Sequence, residues 1–317
     1  MPSEFSHFLA LEGLRIIFLL GFKIKDENHN QSNLIGISFS NKLGLAAGLD
    51  KNGDYIDCLA SLGFGFLEIG TVTPKPQKGN PKPRLFRLKG QKALVNKMGF
   101  NNKGVDYLVF RVKKKNVGTT IGISIGKNFD TPLESAIDDY LMCLNKVYEV
   151  ADYVAINISS PNTKNLRNLQ SKNYINTLLS TLKARQLELA EYSKYTPILI
   201  KISPDMTYDE LQDLALSALQ NNIDGIICSN TSTQHSYFSG EGGLSGRPLF
   251  QSSTDVLEIL RGIVGKDFLI IASGGVMDLE SYNMKIDKGA DLVQIYTGFV
   301  FEGPYIVNKI INSVSKN

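Results

Sequence analysis

Two adjacent serines, Ser159 and Ser160, two lysines, Lys51 and Lys201, and the asparagines Asn96, Asn157, Asn162 and Asn230 are the side chains here best suited to chemistry. A serine hydroxyl ionises far above neutral pH, so it can take a proton only if a second group carries that proton onward. Lysines can form Schiff bases or hold a cation beside developing negative charge. Carboxamides present donors and acceptors side by side and suit the edges of a flat polar heterocycle. The three histidines, His7, His29 and His235, are far apart in sequence, too few for a histidine metal site or a catalytic triad. Cys58, Cys143 and Cys228 are equally scattered; they read as buried thiols in a reducing compartment rather than a disulfide or zinc framework.

These residues need elements to position them. Ser159 and Ser160 lie in "NISSPNT" (157–163), directly after the apolar run "YVAI". Taken alone, the stretch is a strand ending in a turn of hydrogen-bonding residues. Similar runs recur at 43–48, 64–72, 120–126, 153–159, 197–203, 225–230, 268–275 and 292–298. Their hydrophobicity is continuous rather than alternating, which suits strands of a parallel sheet buried on both faces. Segments of helical spacing, such as "YDELQDLALSALQNN", separate them. Eight β-then-α units predict an α/β fold, a closed (β/α)8 TIM barrel over 36–317, rather than an open doubly wound sheet. At 317 residues and 43% hydrophobic composition, a core of that size is available.

Sites in such barrels form at the C-terminal ends of strands. The strand ends here offer Gly48 and Lys51, then Thr71, Ser124, Asn157 with Ser160 and Asn162, Lys201, and Ser229 with Asn230 and Thr231. Asn96 lies where the long connection after the second strand returns. Gly274–Gly275 and Thr297–Gly298 follow the last two strands, the usual place for a phosphate site. Carboxylates and metal ligands are scarce at these positions, against metal-assisted hydrolysis and glycosidase chemistry. A lysine Schiff-base aldolase remains open. A flat heterocycle next to a phosphate suits the amides better, and flavin mononucleotide (FMN) fits, with a lysine near the reduced ring.

The flanks carry a second message. A helix expected over residues 3–22 would gather Glu4, Glu12 and Arg15 in one narrow sector and leave Phe5, Phe8, Leu9, Leu14, Ile16, Ile17, Phe18 and Leu20 around the rest. It must pack on the domain, lie in a membrane interface, or both. A linker is expected over 25–33, so residues 1–35 stand apart as a hydrophobic helix and linker; the resemblance given below implies that they form the membrane and quinone side. Between Thr73 and Asn116 lie thirteen Lys or Arg against one acid, Asp106. That surface is either a solvated basic face or one that meets anionic lipid. Nucleic acid is not expected, because no binding motif accompanies the charge.

Together "LAAGLDKNG", "EIGTVTPKPQKGNPKPRLFRL", "NKMGFNNKG", "NISSPNT", "IKISPD", "SNTST", "GGLSGRPL" and "LVQIYTGFVFEGP" closely resemble the class 2, quinone-dependent dihydroorotate dehydrogenases. The likeness runs from about residue 36 to the C-terminus, with the motifs in family order. It implies FMN-dependent oxidation of dihydroorotate to orotate in pyrimidine synthesis, with a membrane quinone as acceptor. It also implies peripheral attachment at the cytoplasmic face of a membrane. On this resemblance Ser160 matches the catalytic base, removing the C5 proton while hydride leaves C6. Lys51, Asn96, Lys97, Met98, Gly99, Phe100, Asn157, Asn162, Asn230 and Thr231 match substrate-binding positions. Ala47, Gly48, Leu49, Asp50, Lys51, Thr71, Ser124, Asn157, Lys201, Ser229, Gly246, Gly275, Tyr296 and Thr297 match FMN-binding positions. Ser124 and Ser229 replace the family's usual asparagine and threonine, and a contact from Ser124 to the flavin through water is expected. One N-terminal helix is expected where the family has two. The rivals are a class 1 enzyme using fumarate or NAD, which carries cysteine at position 160, and a non-catalytic FMN- or phosphate-binding barrel.

Overall fold

The computed structural model describes residues 2–21, 31–163 and 166–314. Helix α1 (Ser3–Leu19) and a hairpin of β1 (Ser32–Leu34) and β2 (Ile37–Phe39) come first. Next are β3 (Leu43–Leu45), α2 (Ile56–Ala60), β4 (Phe66–Val72), β5 (Leu85–Leu88), β6 (Ala93–Asn96) and α3 (Val105–Lys113). The middle of the chain forms β7 (Thr120–Ile125), α4 (Ala136–Val147), β8 (Tyr153–Asn157), α5 (Lys172–Ala190), β9 (Ile198–Ile202) and α6 (Tyr208–Gln220). It ends with β10 (Gly225–Cys228), β11 (Gly243–Gly246), α7 (Phe250–Val264), β12 (Leu269–Ser273), α8 (Leu279–Asp287), β13 (Leu292–Ile295), α9 (Thr297–Glu302) and α10 (Tyr305–Val314).

Strands β3, β4, β7, β8, β9, β10, β12 and β13 close a parallel barrel, β13 pairing back onto β3. Each corresponds to one of the eight apolar runs. The reason is burial on both faces: Ile198, Leu199, Ile200 and Ile202 of β9 are all shielded, alternately by the barrel interior and the helical ring. The helices supply apolar stripes at helical spacing, such as Val256, Leu257, Leu260 and Val264 of α7. A capping box of Thr207 and Glu210 starts α6, and Asp278 with Ser281 starts α8.

The N-terminal end of the barrel is plugged. Phe39, Phe66 and Tyr153 stack edge to face there, over Leu199, Ile227 and Ile271. Gly44 and Gly122 make the space, since a Cβ on either would fall within about 2 Å of the Phe66 or Tyr153 ring. With this end sealed, the opposite end is the one open to ligands.

Two expectations change at the N-terminus. The linker expected over 25–33 lies partly outside the described residues, and its last positions belong to β1. Leu34, Ile35 and Ile37 of that hairpin pack on the barrel floor. A boundary at residue 35 therefore falls inside a hairpin that the barrel owns. Helix α1 ends at Leu19, with Leu20 bonding back to the Ile16 carbonyl. It docks by its polar sector: Arg84 holds Glu4 at 3.0 Å, Tyr55 donates to Glu12 at 2.7 Å, and His7 meets the Leu49 carbonyl at 3.1 Å. Leu11 is buried and Leu14 and Phe18 pack on the core, but Phe5, Phe8, Leu9, Ile16, Ile17 and Leu20 face outward.

The basic excursion after β4 is ordered by a partner far away in sequence. Strands β5 and β6 form an antiparallel sheet with β11, Asn96 lying opposite Gly243. This sheet covers the mouth of the barrel and carries Asn96 to it.

Candidate active site

One cleft opens at the C-terminal end of the barrel, enclosing about 1010 Å³ with its mouth included. Nineteen of the residues singled out from sequence line it: Ala47, Gly48, Lys51, Thr71, Asn96, Met98, Gly99, Phe100, Asn157, Ser160, Asn162, Lys201, Ser229, Asn230, Thr231, Gly246, Gly275, Tyr296 and Thr297. The barrel closure explains why residues up to 250 positions apart meet, since each strand end contributes one or two.

The amides orient one another. Asn157 donates to Thr71 Oγ1 at 2.9 Å and accepts from Asn230 Nδ2 at 3.2 Å. The Asn230 amide also donates to Ser159 Oγ at 3.0 Å. Above them, Asn162 Nδ2 donates to Asn96 Oδ1 at 3.1 Å, tying the strand β8 turn to the covering sheet. Ser159 is thus fully buried and engaged, whereas Ser160 Oγ lines the cleft and accepts only from the Asn162 backbone N–H, at 3.3 Å. No histidine or carboxylate touches it among the described residues.

Two ammonium groups approach the cleft by different routes. Lys51 Nζ donates to the Gly48 carbonyl at 2.9 Å. Desolvation, followed by repulsion from Arg84, pushes it down to about 8. Lys201 rises from within the barrel and is paired at 2.9 Å with Glu68, whose other oxygen accepts from Gln294 at 2.7 Å and Tyr153 at 3.1 Å. That pairing engages the Lys201 nitrogen with a carboxylate inside the barrel, where an aldolase needs it turned to a substrate carbonyl.

Four expected residues do not face the cleft. Leu49 points into a second cavity. Asp50 is buried beneath the loop, where its carboxylate accepts from the N–H groups of Asn52, Asp54 and Tyr55; it shapes the turn that presents Lys51. Lys97 lies over the Phe86 ring on the covering sheet. Ser124 is buried behind Thr71 and bonded to its hydroxyl at 2.8 Å.

Sequence reading missed Glu68, Gln294 and Tyr153. Their signal was available: a lone charge inside an apolar strand must find a partner, and "FLEIG" and "ILIKI" each carry one. It also missed Arg167, which binds Asp205 at 2.7 Å, the Thr231 carbonyl at 2.9 Å and the Ser159 carbonyl at 3.1 Å. One guanidinium thereby fixes the ends of three neighbouring strands. In the loop that carries it, residues 164–165 lie outside the described residues.

The donor set fits a phosphate-bearing heterocycle. Among the described residues the cleft lining holds amides, hydroxyls, two ammoniums and backbone at Gly246, Gly274 and Gly275, but no carboxylate. Gly48, at φ 104°, leaves room where a Cβ would enter the cleft 3.3 Å from the Tyr296 ring.

A second cavity lies under α1, lined by His7, Leu11, Leu14, Leu49, Arg87 and Phe299 among others. It is mainly apolar, and burial pushes His7 down to about 4, leaving it neutral. Tyr296 lines both cavities.

A closed eight-stranded barrel with an amide-ringed cleft at its strand C-termini and an adjoining apolar cavity defines a (β/α)8-barrel protein with its site at that end. The family model for dihydroorotate dehydrogenase matches residues 30–317, and the chain belongs to that family. It is 48% identical to the dihydroorotate dehydrogenase (quinone) of Acinetobacter baylyi, over 99% of this chain and 96% of that protein. The like-named protein of Azoarcus sp. is also 48% identical, over 99% and 95%. These relatives put the chain in the quinone-dependent class. The crystal structure of DHODH from Eimeria tenella in complex with ferulenol superposes with a TM-score of 0.91 at 33% identity, covering 98% of this chain and 90% of that one. The ligand-free Eimeria tenella structure gives 0.88 at 34%, covering 96% and 93%.

Proposed function

We propose that this chain oxidises dihydroorotate to orotate on bound FMN and passes the electrons to a membrane quinone, a step in de novo pyrimidine (UMP) synthesis. The observation that carries the reading is the junction at Tyr296 of a polar, amide-ringed cleft with an apolar cavity under α1. Such a pair lets a polar substrate and an apolar acceptor use one site without meeting. Bound FMN would supply the hydride acceptor for the substrate and the electron donor for the quinone.

The chain's own residues do the rest. Ser160 takes the C5 proton on Oγ and must hand it on. Lys51 and the carboxamides of Asn96, Asn157, Asn162 and Asn230 hold the substrate edges, with Thr231, Met98, Gly99 and Phe100 closing the pocket. Ala47, Gly48, Thr71, Lys201, Ser229, Gly246, Gly275, Tyr296 and Thr297 hold FMN. Arg87 lines the apolar cavity and offers a cation to the quinone head.

The acceptor distinguishes this reading from the class 1 alternative. Flavin bleached anaerobically by dihydroorotate is expected to regain its colour with a ubiquinone analogue and to stay bleached with fumarate or NAD. Recolouring by fumarate would overturn the quinone assignment, and failure to bleach would favour a non-catalytic binding barrel.

We further propose peripheral attachment to the cytoplasmic face of a membrane through α1. No helix among the described residues is long and apolar enough to cross a membrane. What supports attachment is the outward apolar face of α1, with Phe8 51% and Leu20 71% exposed, beside the basic excursion. Replacing Phe8 and Ile16 with Glu, which leaves the Glu4, His7 and Glu12 anchors intact, should abolish co-flotation with anionic liposomes. Unchanged flotation would refute the role of α1.

A further inference from the structure

Behind the glycine turn lies a buried charge that no step above uses. Lys285 of α8 is fully buried. Its ammonium donates to Ser253 Oγ at 2.7 Å and stands 5.1 Å from the centre of the Phe250 ring. Among the described residues it makes no ion pair. Asp255 acts on it only from beyond pairing distance, and the neighbouring Cys228 thiol is neutral, pushed up to about 12 by burial. Lys127, equally hidden, is served by two carbonyls, those of Asn128 at 3.0 Å and Thr131 at 2.7 Å. Lys285 has one neutral hydroxyl and a ring.

Ser253 connects this charge to the cleft. Its Oγ lies 3.0 Å from both the Phe250 and Gly274 carbonyls, and its single proton can serve one of them. The start of α7 is pressed onto the turn: a Cβ on Gly274 would fall 2.8 Å from Ser253 Oγ, and one on Gly275 would fall 2.4 Å from Phe250 Cα. Gly274 and Gly275 line the cleft on their other side. An ammonium held in the core without a counterion is costly, and an apolar side chain of similar volume would fill the space at less cost. The charge is intelligible if an anion completes it from the cleft.

We propose that Lys285 is a positioning residue for the phosphate of the cofactor: a fixed positive charge behind the Gly274–Gly275 turn, acting through Ser253, that selects a phosphorylated flavin over an uncharged one. This rests on the FMN reading above. Burial lowers Lys285 only to about 8, so the charge is present at neutral pH.

The test reads flavin binding rather than turnover. FMN release from the diluted holoenzyme, followed by flavin fluorescence, and rebinding of FMN or riboflavin are measured for wild type, Lys285→Met and Lys285→Arg. The methionine variant should bind FMN roughly tenfold more weakly, about 1.4 kcal/mol, with riboflavin binding unchanged and the arginine variant close to wild type. Equal losses for both flavins, or no loss of FMN, would show Lys285 to be structural only. Should Lys285→Met fail to fold by circular dichroism, Ser253→Ala decides by the same FMN-against-riboflavin criterion. Wild type that binds neither flavin would instead remove the cofactor reading, and this proposal with it.

Discussion

In Ser160→Ala, bleaching of the bound flavin by dihydroorotate is expected to slow by roughly 10²–10⁴-fold, the usual contribution of a general base, while the flavin stays bound. Ser160 is the one hydroxyl of the pair at 159–160 that lines the cleft; Ser159 is committed to Asn157 and Asn230. Ser160 Oγ accepts only a weak 3.3 Å bond from the Asn162 N–H, so its lone pairs and proton are available. Flavin retention follows because none of the cofactor-side groups, from Gly48 to Thr297, hydrogen-bonds to Ser160. Rapid anaerobic mixing separates this half-reaction from reoxidation. A variant that bleaches at the wild-type rate would end the assignment, and one that loses flavin would move Ser160 to the cofactor side.

Lys201→Met is expected to destabilise the protein by about 3–5 kcal/mol, the cost typical of leaving one member of a buried ion pair uncompensated. Glu68 is 1% exposed at the centre of the barrel, and Lys201 is its only cationic partner among the described residues. Gln294 and Tyr153 can still donate to it, which keeps the loss finite. The double variant Glu68→Gln with Lys201→Met should recover most of the stability while keeping flavin binding weak. Urea unfolding of the four members of the cycle measures the coupling. Additive losses would mean that the pair contributes no specific coupling and that Lys201 acts on the cleft alone.

Much of this architecture was readable from the chain. Strands buried on both faces must be apolar throughout, and eight such runs separated by helical patterns leave few folds to choose from. The strand-end rule then puts Lys51, Asn157, Ser160, Asn230 and Thr297 on one rim, where all five line the cleft. What misled was direction. Leu49, Asp50 and Lys97 are neighbours in sequence of cleft residues, but alternate positions along a strand or turn point opposite ways. Asp50 turns under its loop to hold three backbone N–H groups, and Ser124 sits behind Thr71.

The residue types and their order therefore determined by themselves a parallel barrel and the set of groups its mouth could offer, because local hydrophobic pattern and strand polarity are properties of short segments. Only the tertiary structure decided the rest. The pairing of Glu68 with Lys201 spans the barrel interior. The β11–β6 contact carries Asn96 over the mouth, and Lys285 comes to lie behind the glycine turn. Helix α1 docks through Glu4, His7 and Glu12 together with Leu11, Leu14 and Phe18, and turns Phe5, Phe8, Leu9, Ile16 and Ile17 outward. Each of these depends on which distant segments meet, and that is set by closure of the barrel rather than by any stretch of sequence short enough to read alone.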